Sequence, residues 1–149
     1  MKQKRMHEIN RINSLTSEME SLYHQASLKL GISNSVSIIL YTLYFTDGAC
    51  LLSEIYKKSG ISKQTVNSAI RNLEADGILY LELYDGKSKT VKLTEHGKAY
   101  AETTAARLCA AEIHAFDNWT EEDIDTYIRL MERYTECFRQ QIDAWKRRA

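Results

Sequence analysis

The stretch LLSEIYKKSGISKQTVNSAIRNLEADG, Leu51 to Gly77, decides how this chain is read. Two short amphipathic segments meet there at one tight turn. Gly60 can adopt the left-handed conformation that ends the first helix, Ile61 fills the angle between the helices, and Ser62 caps the second. In that second helix Val66, Ile70 and Leu73 share a face and should pack on Ile55. The other face presents Lys63, Gln64, Asn67, Ser68 and Arg71, with Ser62 and Thr65 in the first turn, and none of these requires burial. Asn and Gln pair bidentately with adenine, Arg and Lys with guanine, and the first turns of such a helix are the part that reaches the major groove. For an isolated helix a solvated polar face is the plain alternative; the flanking sequence weighs against it.

Immediately after Gly77 the hydrophobic period shifts from helical to alternating. ILYLELY is rich in β-formers, YDGKSK offers an Asp-Gly turn and TVKLT alternates apolar with polar residues, which together read as a β-hairpin. Lys87 and Lys89 fall at or beside its tip, with Lys92 further along the second strand. A basic hairpin beside a helix-turn-helix can lie along the DNA backbone or in the minor groove. The formal net charge of the chain is zero, yet from Lys57 to Lys98 basic residues outnumber acidic ones, so the neutral total conceals a local positive footprint. The acids gather elsewhere, as in TEEDID at 120–125.

Outside this segment the pattern is helical. Ile9, Ile12, Leu15, Met19, Leu22 and Ala26 repeat at helical spacing from about Met6 to Leu30, where Gly31 stops the helix. A second, widely apolar helix should start at Asn34 or Ser35 and run through Val36, Ile39, Leu40, Leu43 and Tyr44 to the break at Asp47-Gly48. Beyond the hairpin, a fifth helix is expected from Glu95 to about Asp117, with Thr94 as its cap. A sixth is expected with Thr120 as N-cap and acids in its first turn. Its seam of Ile124, Ile128, Met131, Thr135, Phe138, Ile142 and Trp145 alternates spacings of four and three, as a coiled-coil heptad does. The expected fold class is thus mainly α, six helices with a small β-hairpin wing, and a seam that a monomer would struggle to bury.

With these residues in view, the chain resembles the multiple-antibiotic-resistance regulator (MarR) family of bacterial transcription factors. The resemblance runs from the long first helix through LLSEIYKKSGIS, TVNSAIRNLEADGIL, the Asp85-x-Lys87 wing and LTEHG to the long last helix, and is most specific between Leu52 and Gly97. It implies one domain over 1–149: a winged helix-turn-helix lobe at 35–97 between dimerisation helices at 6–30 and 98–149. Ile9, Ile12, Ile124, Ile128, Met131, Phe138, Ile142 and Trp145 would then be interface residues of a homodimer. Ser62, Lys63, Gln64, Thr65, Asn67, Ser68, Arg71, Lys87 and Lys89 would contact double-stranded DNA. The implied function is a repressor on a pseudo-palindromic operator. Three departures stand out: Lys87 occupies the usual arginine position of the wing motif, Leu81 stands where another arginine is common, and the wing is about two residues shorter. Lysine does not reproduce the planar bidentate guanidinium, so weaker wing contacts are expected.

Other functions find less support in the sequence. With 44% hydrophobic and 27% charged residues the composition is that of an ordinary soluble domain. The N-terminal stretch lacks an apolar signal core and no apolar run is long enough to span a bilayer, so a cytoplasmic location and no membrane partner are expected. There is no phosphate-binding glycine loop, His-Glu-x-x-His helix or nucleophile elbow, so an enzyme is not expected. His7, His24, His96 and His114 have no ligand spacing, and neither metal nor cofactor is expected. Cys50, Cys109 and Cys137 read as buried thiols. Cys50 also falls at the expected start of the tandem's first helix, where a lowered pKa would make it reactive; without a resolving cysteine, a redox switch is the lesser reading. Tyr41, Tyr44, Tyr100 and Trp119 read first as core aromatics. The resemblance adds an alternative for them, a cleft for a small aromatic effector. A winged helix acting as a protein-binding adaptor is the remaining rival.

Overall fold

The computed structural model describes residues 1–147; Arg148 and Ala149, the end of the expected C-terminal dimerisation segment, lie outside the described residues. In chain order the elements are α1 (Lys2–Leu30), α2 (Asn34–Tyr44), β1 (Ala49–Leu51), α3 (Leu52–Ser59), α4 (Lys63–Ala75), β2 (Leu79–Leu83), β3 (Lys89–Leu93), α5 (Glu95–Thr103), α6 (Ala105–Ala115) and α7 (Glu121–Asp143). The chain divides into two compact units, with the boundary inside α6 between Ala110 and Ala111.

Local chemistry explains most of the boundaries in the first unit. Gly31 ends α1 in the left-handed conformation, φ 72°, so that its own N–H and that of Ile32 reach back to the carbonyls of Leu28 and Ser27. The cap of α2 is Ser33, one or two residues earlier than the sequence suggested: its Oγ accepts from the Val36 N–H at 3.2 Å. α2 then carries Ile39, Leu40 and Leu43, all fully buried, into a core completed by Ile55, Val66, Leu79 and Val91. That core holds α2, α3, α4 and the sheet in one body.

The sheet has three strands, not the two of a simple hairpin, in the antiparallel order β1-β3-β2. β1 places Cys50 opposite Val91, so the residue expected to start α3 is a strand residue. It is only 8% exposed, and burial pushes its thiol above the ordinary value of 9.0. This is the reverse of what a reactive helix-terminal cysteine needs. The expectation that all three thiols are buried fails as well: Cys109 is half-buried and Cys137 exposed.

The expected fifth helix is two helices. At Thr104 the backbone leaves the helical region (φ −124°, ψ −82°). The hydroxyls of Thr103 and Thr104 both donate to the Tyr100 carbonyl, at 2.9 and 2.8 Å, while the Thr104 N–H bonds to Ala101 instead. Back-bonding threonines bend helices in this way. At the start of α5, an added Cβ on Gly97 would stand 1.8 Å from the Ile78 carbonyl oxygen. Only glycine permits that approach of helix to strand. Thr94 locks the same junction, donating its hydroxyl to the Gly77 carbonyl at 2.6 Å and accepting from the Gly97 N–H at 2.9 Å.

In the second unit, α7 opens with a capping box in which the Thr120 hydroxyl accepts from the Asp123 N–H and the Asp123 carboxylate accepts from the Thr120 N–H. The Thr120 hydroxyl, which also donates to the Asp123 carboxylate at 2.8 Å, and the Thr120 N–H together hold the Asp123 carboxyl below its ordinary value. α7 buries none of its own residues. Among the described residues no single helix is long and apolar enough to cross a membrane.

Candidate nucleic-acid interface

The turn between α3 and α4 forms as its residue types dictate. Gly60 is left-handed at φ 66°, Ile61 packs against the core, and the Ser62 Oγ accepts from the Thr65 N–H at 3.2 Å while meeting the Thr65 hydroxyl at 2.8 Å. Val66, Ala69, Ile70 and Leu73 turn inward and are buried. Lys63, Gln64, Thr65, Ser68 and Arg71 are therefore left on the outer face, all exposed. The dipole of the α4 N-terminus adds partial positive charge around its first turn.

Asn67 departs from this pattern. It is half-buried, and its Oδ1 accepts a 2.5 Å hydrogen bond from the Tyr56 hydroxyl on α3. The Lys63 ammonium lies over the same tyrosine ring, 5.3 Å from its centroid, within cation–π range. One turn further along α4, Arg71 donates through Nε to the Asn67 carbonyl at 3.4 Å. Tyr56 thus organises two of the expected contact residues, and the sequence reading missed it. The only trace was an aromatic beside the core residue Ile55 on a short amphipathic helix.

The wing is built on the Asp85 carboxylate. One of its oxygens accepts from the backbone N–H groups of Lys87 and Ser88, at 2.9 and 2.7 Å, and these bonds hold the carboxyl below its ordinary value of 3.8. The turn is accordingly an Asx-type turn, not a glycine-driven one; Gly86 is absent from the residues with positive φ. Lys87 and Lys89 are exposed and form no ion pair among the described residues. Lys92, in contrast, reaches diagonally across the hairpin to Glu82 at 2.7 Å, which raises its pKa and cancels its charge locally.

Between α3, α4 and the wing lies an open notch of about 670 Å³. It brings Asn67 and Arg71 together with Lys87 and Lys89, alongside Tyr56 and one carboxylate, Glu74. Ser62, Lys63, Gln64, Thr65 and Ser68 lie outside it, toward the N-terminal end of α4. The result is a convex polar helix face continuous with a basic concavity. Such a surface can set a helix in a major groove while lysines meet the flanking phosphates.

The expected dimerisation residues divide between the units. On α1, Ile9 and Ile12 are exposed, as are Leu15, Met19 and Leu22 of the same stripe. On α7, Ile128, Met131, Phe138 and Ile142 are exposed and Ile124 is half-buried; Trp145, beyond the helix end, is 72% exposed. Of the four aromatics weighed as core or cleft, Tyr41, Tyr44 and Tyr100 pack against the core. Trp119 is exposed and stacks edge-on with Phe116 and Tyr127.

Comparison with known proteins gives a consistent result. Residues 30–86 match the sequence profile of the MarR family; no curated protein matches the chain. The structure of a MarR family regulator from Neisseria meningitidis is similar over 91% of this chain and 96% of its own, at 19% identity and a TM-score of 0.81. The S. aureus MepR–DNA complex is similar over 87% and 96%, at 20% identity and a TM-score of 0.66. Bordetella bronchiseptica BpsR, described with the regulation of its DNA binding by 6-hydroxynicotinic acid, is similar over 84% and 98%, at 18% identity and a TM-score of 0.63. The mostly helical chain with its small three-stranded antiparallel sheet has the MarR winged-helix fold.

Proposed function

We propose that this chain, whose residues 30–86 match the MarR family, is a sequence-specific double-stranded DNA-binding regulator of transcription that works in the cytoplasm as a homodimeric repressor. The observation that carries the reading is the convergence of α4 and the wing. Lys63, Arg71, Lys87 and Lys89 supply cations and Gln64, Asn67 and Ser68 supply base-edge partners on one continuous surface. Ser62 and Thr65 complete it at the helix start. The S. aureus relative bound to DNA shares the fold and supports the same partner.

The dimer is inferred from apolar stripes that a single chain leaves exposed on α1 and α7. In this reading the winged lobe spans 35–97 and the helices at 6–30 and 98–149 join the protomers. Burial of such stripes is worth about 25 cal/mol per Å². A twofold axis would set two recognition helices roughly 10 bp apart on a pseudo-palindrome. Repression follows from occlusion of a promoter.

Control by a small aromatic effector is a second reading, favoured by an open cleft of about 470 Å³ where Tyr100 and His96 face Ile32 and Val36. The BpsR relative, named with an aromatic acid, supports it. Neither reading calls for an enzyme, a metal or a cofactor.

Selection of bound duplexes from a random library, at near-physiological salt, tests the function. Enrichment of a twofold-symmetric site is the expected result. A folded dimer that enriches nothing refutes the reading in favour of a protein-binding adaptor.

A further inference from the structure

We infer that Tyr56, a residue of α3 outside the DNA-contacting set, fixes the hydrogen-bonding polarity of Asn67 and so determines which base Asn67 reads. The inference rests on the DNA-binding reading above and deepens it. An asparagine in a recognition helix ordinarily offers a carbonyl acceptor and an amino donor side by side, the pair that matches the N6 and N7 of adenine. Here the two ends are not equivalent. The Oδ1 is held at 2.5 Å by the Tyr56 hydroxyl, against a ring that packs on the core.

The amino end is free by the same accounting. Among the described residues Asn67 Nδ2 has no hydrogen-bond partner, and among those same residues no buried side-chain nitrogen or oxygen lacks one. Nδ2 therefore remains open to solvent, on a residue that lines the notch with Arg71 and Lys87. Asn67 meets the groove as a donor. Donors suit acceptor-bearing edges, the O4 of thymine or the O6 and N7 of guanine, and they give up the bidentate match to adenine.

Tyr56 is thus a positioning residue for base readout. The tyrosine cannot be exchanged freely, because its ring also lies beneath Lys63. Phenylalanine keeps the ring, and with it the packing and the cation–π contact, and removes only the hydroxyl that orients the amide.

The test is library selection with the wild-type protein, Tyr56→Phe, Asn67→Ala and the double variant, with thermal unfolding of each. For the wild type we expect thymine or guanine at one base pair per half-site. Tyr56→Phe should shift that pair to adenine by about tenfold, leave the other positions unchanged and unfold at nearly the wild-type temperature. In the Asn67→Ala background the Tyr56→Phe change should have no effect on preference, which a purely structural role for the ring would not produce. A wild-type preference for adenine at every strong position, an unchanged preference in Tyr56→Phe, or a uniform loss of affinity overturns the inference. If the wild type itself enriches no site, the DNA-binding reading fails and takes this one with it.

Discussion

Replacing Lys87 by alanine should change the salt dependence of DNA binding by an amount that follows from the wing's geometry. Its backbone is pinned by Asp85, its side chain is exposed at the hairpin tip, and it has no carboxylate partner among the described residues. Its ammonium is therefore free to meet a phosphate. Each neutralised phosphate contributes about −0.9 to the slope of log K against log salt. A dimer has two wings, so Lys87→Ala should flatten the slope by about 1.8. Between 50 and 200 mM salt the ratio of wild-type to variant affinity should then shrink about 12-fold. Fluorescence anisotropy on the selected duplex, over a salt series, measures this directly. Lys92→Ala is the control: Glu82 already cancels that charge, and the slope should stay within experimental error of wild type. Parallel lines for wild type and Lys87→Ala would remove the wing from the interface. Equal flattening by both variants would show a diffuse field in place of a located contact.

Gly97→Ala should destabilise the fold by about 3 kcal/mol or more, because its Cβ would overlap the Ile78 carbonyl oxygen at 1.8 Å; a melting temperature that does not fall by roughly 10 °C contradicts the packing. The lowered Asp85 carboxyl stabilises the wing above the ordinary value of 3.8 and loses that contribution only as pH drops through its still lower folded pKa. The Lys87 and Ser88 amide resonances, followed by NMR on acidification, should shift with a midpoint below the ordinary value of 3.8; a midpoint at or above that value would show that the carboxylate does not hold the turn. Under mild alkylation Cys137 should react and Cys50 should not, since Cys50 is buried with a raised pKa. Mass spectrometry showing Cys50 modified first would place it on the surface.

Which parts of this molecule could be read from the chain depends on the range of the interactions involved. The helix-turn-helix was legible because its signals are local: Gly60, Ser62 and the 3.6-residue spacing of Val66, Ile70 and Leu73 act within a few residues of one another. The hairpin and the Thr120 cap were legible for the same reason. β1 was not, because three residues carry no period and its pairing partner in β3 lies some forty residues away. Cys50 was misplaced with it. The break at Thr104 was hidden because threonine hydroxyls choose between solvent and the preceding carbonyl only once the helix is packed.

At the candidate site the same division holds. Composition and spacing were enough to place the cations of α4 and the wing, and Gln64, on the surface, since exposed polar residues on an amphipathic helix are defined by what the opposite face must bury; Asn67, half-buried, is the exception. Their states were set by tertiary contacts. Lys92 is cancelled by Glu82 from the neighbouring strand while Lys87 and Lys89 form no ion pair among the described residues, and Asn67 is turned by a tyrosine eleven positions earlier on another helix. Sequence by itself determined which groups face outward, because helical period and burial are properties of one segment. Only the tertiary structure decided which of those groups are available and in what polarity, because a charge or a hydrogen bond is spent by whatever the fold brings beside it.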